Sequence, residues 1–230
     1  ISFLFSPFFI LPMILVGWTQ LRVRSAFKKY SQIASTARLS GAETARRILR
    51  EQGIYDVAVE ETSGSLSDHY DPRTKVVRLP SDNFHGHHLA GLAVAAHEVG
   101  HALQHHHGER GLALRQKLVG VAAATDRIAS VFFIAAPVLA LLLRTPAALF
   151  GLALIGIGLL GVRVLVHLVT LPVEYDASFN KALPILREGG YLGESDLDGA
   201  RSVLRAAALT YVAGALVSLL NLARWIRVLR

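Results

Sequence analysis

Leu89-Ala90-Gly91-Leu92-Ala93-Val94-Ala95-Ala96, running directly into His97-Glu98-Val99-Gly100-His101, is the stretch on which the fold turns. Its first eight residues are small or apolar on every side, the pattern of a helix buried all round, and they lead without a break into H-E-x-x-H. Four residues at about 100° each return His101 to the face of His97, so two imidazoles converge on one ion with Glu98 beside it. Neutral imidazole nitrogens bind Zn²⁺, a catalytic site keeps one position open for water, and the metal brings that water's pKa to about 7. Glu98 is the candidate base, taking the water's proton and passing it to a leaving amine. Gly100 keeps one side of the helix low, for substrate or for a packed neighbour.

Around this stretch the chain is too apolar for an ordinary soluble domain: 230 residues, 52% hydrophobic, mean hydropathy +0.42. No charge precedes Arg22, and residues 1–21 are as long as the ~20 residues a bilayer-spanning helix needs. With no basic segment before it and no small-residue cleavage site after it, this reads as an N-terminal transmembrane anchor rather than a signal peptide. Ile128 to Leu143 and Thr145 to Val162 are parted only by Arg144, with Pro146 as a turn signal, and predict a transmembrane hairpin over 128–170. Residues 205–230 read as a transmembrane or membrane-packed helix with a basic tail. The expected class is a mainly α, multi-pass membrane protein with a zincin-like HExxH helix and a small β-hairpin.

The net charge of +7 gathers where apolar runs stop, at Arg22, Arg24, Lys28 and Lys29 and at Arg224, Arg227 and Arg230. That placement suits anionic lipid head groups, and no recognition helix or aromatic-interleaved basic strand points to nucleic acid. Cysteine is absent, which excludes thiol chemistry and leaves histidine and carboxylate as metal ligands.

The positive-inside rule puts 22–127, and with it the HEVGH helix, in the cytoplasm. Within that segment Ser40-Gly41-Ala42-Glu43 is a capping box opening a helix that Gly53 ends. Val57 to Glu60 and Lys75 to Leu79 read as two strands around the polar turn Ser67 to Pro72, either an edge for an extended peptide or a cover for the core. A hairpin at 128–170 returns the chain to the same side, where 171–204 holds a second ligand helix and loop, Pro172 suiting a first helical turn before Glu174-Tyr175-Asp176-Ala177-Ser178. On the residues alone the third ligand lies open among Glu174, Asp176, Asp198 and His167.

Here the chain resembles a family. HEVGHALQ joined to a later LPVEYDAS across a hydrophobic hairpin, with SDHYDPRTKVVRL upstream and AALTYVA downstream, is similar to the YugP-like membrane zinc metallopeptidases over nearly its whole length. More distantly it resembles the HtpX and Ste24 class of membrane gluzincins. The resemblance implies His97, His101 and Glu174 as zinc ligands and Glu98 as general base. The HtpX-like pattern has an Asp four residues after the ligand Glu; this chain has Ser178 there and Asp176 two residues after it, which leaves Ser178 or Asp176 to orient a ligand histidine. His69, Tyr70 and Tyr211 are candidate oxyanion donors.

Other signals lead less far. Leu197-Asp198-Gly199 resembles the Leu-Asp-Gly of site-2 intramembrane proteases but sits in a polar stretch and reads as a helix start. Gly156 to Gly161 matches G-x-G-x-x-G inside a membrane run, where close helix packing is expected rather than a dinucleotide. His105, His106 and His107 read as a solvated helix end, and His85, His87 and His88 as the loop and first turn before the ligand helix. His167 is expected to face protein. The combined reading is a membrane-embedded zinc metalloendopeptidase of gluzincin type, with one Zn²⁺ per chain, acting on a peptide or membrane-protein segment at the cytoplasmic face, with oligomeric state left open. The alternatives are a proteolytically inactive zinc-containing scaffold or partner-binding protein, and a site-2-like protease using Asp198.

Overall fold

The computed structural model describes the backbone of residues 7–228 and the side chains of 10–223. Helix α1 (Pro7–Tyr30) is followed by α2 (Gly41–Glu51), strands β1 (Ala58–Thr62), β2 (His69–Asp71) and β3 (Val76–Pro80), and helices α3 (Ser81–His85) and α4 (Leu89–His106). Then come α5 (Arg110–Leu143), α6 (Pro146–Tyr175), a π-helical stretch Asp176–Ala182, α7 (Leu183–Glu188) and α8 (Glu194–Val228). The chain divides into two compact units, Thr19–Ala113 with Pro172–Thr210, and Ile1–Trp18 with Leu114–Leu171 and Tyr211–Arg230.

The first unit is organised around α4. Leu89, Ala90, Leu92, Ala93, Ala95, Ala96 and Val99 are all buried, as the unbroken run of small and apolar residues requires, and they share a core with Ile48, Leu79, Leu186 and Leu204. Helix α2 opens with the expected capping box: Ser40 Oγ accepts from Glu43 N–H, and the Glu43 carboxylate accepts from Ser40 N–H. It closes before Gly53, whose φ of +72° is the left-handed conformation that glycine adopts without strain. His88 caps α4, its Nδ1 accepting from Gly91 N–H while its Nε2 donates to the Asp82 carbonyl.

Two local expectations are corrected. The two strands do not pair as a hairpin: β1 and β3 run parallel, Val59 opposite Val77, and the hairpin partner of β3 is the unforeseen β2, Tyr70 opposite Val77, in the order β1-β3-β2. The turn chemistry of Asp71-Pro72 to Lys75, with Lys75 at φ +54°, closes β2 onto β3 and puts β3 in the middle. Nor does Pro172 open a new helix, for α6 runs through it and on into the π-helical stretch. A proline within a helix removes one ladder hydrogen bond, and here the helix continues with a wider turn following.

In the other unit the helices are apolar outward. Ile128, Val131, Ile134 and Leu142 of α5 are each 60% or more exposed, as side chains facing lipid would be. Three helical stretches, Arg110–Leu143, Pro146–Glu188 and Glu194–Ala223, are long and apolar enough to cross a membrane among the described residues. They correspond to the two arms of the expected hairpin and to the last apolar segment, whose helix starts earlier than the reading from Arg205 supposed. The arms are tied by Arg163 and Asp126 at 2.9 Å. His167 does face protein, for a Cβ on Gly214 of α8 would lie 2.9 Å from its ring. Gly158 and Gly161 have nothing within 4 Å of an added Cβ, so the expected close packing does not occur there. Ile1 to Ser6 of the expected first span, and the side chains of Arg224, Arg227 and Arg230, lie outside the described residues.

The loop between α7 and α8 is fastened to α2 by Tyr191, whose hydroxyl donates to Glu51 Oε2 at 2.6 Å. That bond, with Arg47 adding to it, holds the Glu51 carboxyl below its ordinary value of 4.5, while burial and the same bond push Tyr191 up. A carboxyl lowered on folding contributes stability above its unfolded pKa and loses it as the pH falls through the folded one. Tyr191→Phe should therefore lower the unfolding temperature at neutral pH, with the gap from wild type narrowing as thermal scans move below pH 4.5.

Candidate metal centre

His97 and His101 project from one face of α4, their rings edge to face at 4.7 Å between centroids. Glu174, at the end of α6, lies against both: its Oε2 is 3.3 Å from His97 Nε2 and 3.4 Å from His101 Nε2. The three donor atoms lie within 4.8 Å of one another and form the one group among the described residues suited to hold a metal. The site is largely buried, with Glu98 6%, His101 4% and Glu174 1% exposed.

The donor set fits zinc. Bonds of ~2.05 Å at tetrahedral angles put neighbouring ligand atoms about 3.3 Å apart, which is the spacing of the carboxylate oxygen from each imidazole nitrogen. A carboxylate buried this deeply needs positive charge close by, and a divalent cation among these donors supplies it.

The backs of both rings are held. Ser178 Oγ lies 3.0 Å from His97 Nδ1, so the residue standing where the HtpX-like pattern has Asp meets a histidine of the cluster. His101 Nδ1 lies 2.9 Å from Gln104 Oε1, and Gln104 Nε2 donates to the Val173 carbonyl at 2.9 Å and to Asp176 Oδ2 at 2.8 Å. Asp176 in turn is bound by Asn180 and by Lys181, which also pairs with Glu109 at 2.8 Å. Asp176 is thus absent from the donor group but reaches His101 through one intermediate side chain. Gln104 was passed over in the sequence, although it sits three residues after His101, on the neighbouring strip of the same helix.

Gly100 explains how the two donor-bearing elements come so close. A Cβ there would lie 2.7 Å from the carbonyl oxygen of Ala177, itself fully buried, so a packed neighbour fills the low side of the helix. The π-helical stretch is that neighbour. Its ladder runs to the fifth residue, Leu183 N–H bonding Ser178 O, and just before it the Val173 carbonyl takes the Gln104 side chain.

The other sequence candidates are not members of the donor group. The Tyr70 hydroxyl is engaged with His105 Nδ1 at 2.8 Å, and burial pushes its pKa up to about 12, which keeps it protonated. His69 is exposed against the Ser67 carbonyl. Tyr211 belongs to the other compact unit. Asp198 has a side chain 84% exposed and paired with Arg201, while Gly199 beside it makes room for Leu89 and Tyr30. Asp68, just before β2, is an addition: it interacts electrostatically with His97, accepts from Asn83 Nδ2 at 2.6 Å, and is pushed up by burial.

Two helix-borne histidines and a distant glutamate form a candidate metal site, and the chain belongs to a family of zinc metallopeptidases. Residues 5–230 match the family described as "Putative neutral zinc metallopeptidase". The chain is 42% identical over 213 residues, 92% of its own length and 90% of the relative's, to the "Putative membrane protease YugP" of Bacillus subtilis (strain 168). No solved structure matches it.

Backbone cannot give way as a flexible side chain can, so Gly100→Ala should push α4 off the π-helical stretch. A cost of about 1–3 kcal/mol is expected, read as a lower unfolding temperature together with reduced zinc uptake by metal analysis. Gly158→Ala, in open surroundings, should leave both unchanged.

Proposed function

We propose that this chain is a membrane-embedded zinc endopeptidase of gluzincin type, with His97, His101 and Glu174 holding one zinc ion and Glu98 acting as general base. The observation that carries the reading is the meeting of both Nε2 atoms with the Glu174 carboxylate in a buried site, with Glu98 buried beside them. Family membership supports zinc and peptide-bond hydrolysis as the chemistry.

Zinc bound there supplies Lewis acidity, acidifying a water and polarising a peptide carbonyl. The chain's own residues do the rest. Ser178 and Gln104 hold the backs of the two rings so that both Nε2 lone pairs face inward. The Glu98 carboxylate takes a proton from the attacking water and delivers it to the leaving amine nitrogen. Strand β2 lies at an edge of the sheet and is tied to α4 through Tyr70 and His105, so an extended peptide pairing along it would lie beside the ligand helix. The substrate is accordingly a peptide or an extended membrane-protein segment. A zinc scaffold without activity has no use for a buried carboxylate next to the ligands, and the exposure of Asp198 disfavours the site-2-like alternative.

Two experiments test this. His97→Ala, His101→Ala and Glu174→Gln should each lose zinc and hydrolysis, whereas Glu98→Gln should keep about one zinc per chain and lose turnover by roughly 10²–10⁴-fold. Wild-type rates in Glu98→Gln would remove Glu98 from the mechanism. For sidedness, single cysteines placed at Arg110, Glu188 and Arg144 of this cysteine-free chain should label from the cytoplasmic side for the first two and from the opposite side for the hairpin tip. Labelling of positions 110 and 188 from opposite sides would be incompatible with a shared site.

A further inference from the structure

We infer that Gln104 is a positioning residue that fixes the proton of His101 on Nδ1 and so presents an unprotonated Nε2 to the metal cluster, and that Asp176 and the Val173 carbonyl set its orientation. The inference rests on the zinc reading above for its purpose, but its geometry stands in the side chains alone.

A side-chain amide offers oxygen on one side and nitrogen on the other, and its orientation follows from its partners. The Val173 carbonyl can only accept a hydrogen bond, and the Asp176 carboxylate accepts as well; both lie against the same Gln104 atom, at 2.9 and 2.8 Å. That atom must be nitrogen, so the atom 2.9 Å from His101 Nδ1 is oxygen, a pure acceptor. His101 Nδ1 must then carry the proton, leaving the Nε2 lone pair for the face it shares with His97 and Glu174.

His97 is held differently. Its partner Ser178 Oγ can donate or accept, so that contact does not by itself choose a tautomer. The acceptors that orient Gln104 are themselves secured, Asp176 by Asn180 and by Lys181, which also binds Glu109. Gln104 and His101 are buried, so a mismatch of donor against donor could not be relieved by solvent.

The test uses the full chain in detergent with two readouts. In metal-free protein, nitrogen-detected NMR of the imidazoles should find a proton on His101 Nδ1, and Gln104→Leu, which keeps the volume and removes the acceptor, should lose it there while Nε2 still faces the Glu174 carboxylate. By chelator competition, Gln104→Leu should weaken zinc binding by roughly 10–100-fold. Gln104→Glu sets two carboxylates against each other and should weaken it similarly at neutral pH. A wild-type His101 whose Nδ1 carries no proton, or wild-type zinc affinity in Gln104→Leu, would each overturn the assignment. A wild-type chain that takes up no zinc would instead overturn the function proposed above, and the NMR result would still decide the role of Gln104.

Discussion

The approach of α4 to the π-helical stretch, backbone against backbone at Gly100 and Ala177, is the constraint from which the rest of the site-bearing unit follows. Imidazole and glutamate side chains are of fixed length, so ligands from two helices meet only if the helix axes come unusually close. Glycine on one side and alanine on the other permit it. The run of alanines before His97 serves the same end on the remaining faces, since a helix that must be enclosed all round needs small side chains on all of them. The capped α2, the small sheet and the α7–α8 loop complete that enclosure, and burial gives electrostatic interactions at the site more weight than they would have in water.

What could be read in advance divides along physical lines. The two histidines were legible because i and i+4 on a helix share a face whatever the tertiary context. Ser40 and Gly53 were legible because capping is local chemistry. Glu174 was singled out by the resemblance, since helical spacing does not say which distant residue returns to the site. The sheet was half legible. Alternation found the strands, but β2 is three residues long and too short to show a period, and strand direction depends on which neighbour wins. The passage of α6 through Pro172 was hidden because proline's local preference is to begin or end helices, and packing overrode it here. Gln104 escaped notice for another reason: a single glutamine carries no signal until its partners, Val173 and Asp176, are placed by the fold.

The contacts behind the two imidazoles are both made by neutral groups, a serine hydroxyl and a glutamine amide, where a carboxylate is common in metal sites. Behind His101 charge enters one step further out, where Asp176 meets Lys181, which also pairs with Glu109. The proposed ligand set therefore carries a single formal negative charge, on Glu174.

The three-donor cluster draws on residues from both sides of the apolar hairpin formed by α5 and α6. A growing chain that has been made only as far as Leu143 already contains the complete HEVGH helix but not the glutamate that completes the cluster. Glu174 arrives only after both arms of the hairpin have been synthesised and the chain has turned back. Completion of the cluster is thereby ordered in time behind synthesis of both arms, so that until the chain reaches Glu174 it presents two histidines without the third donor.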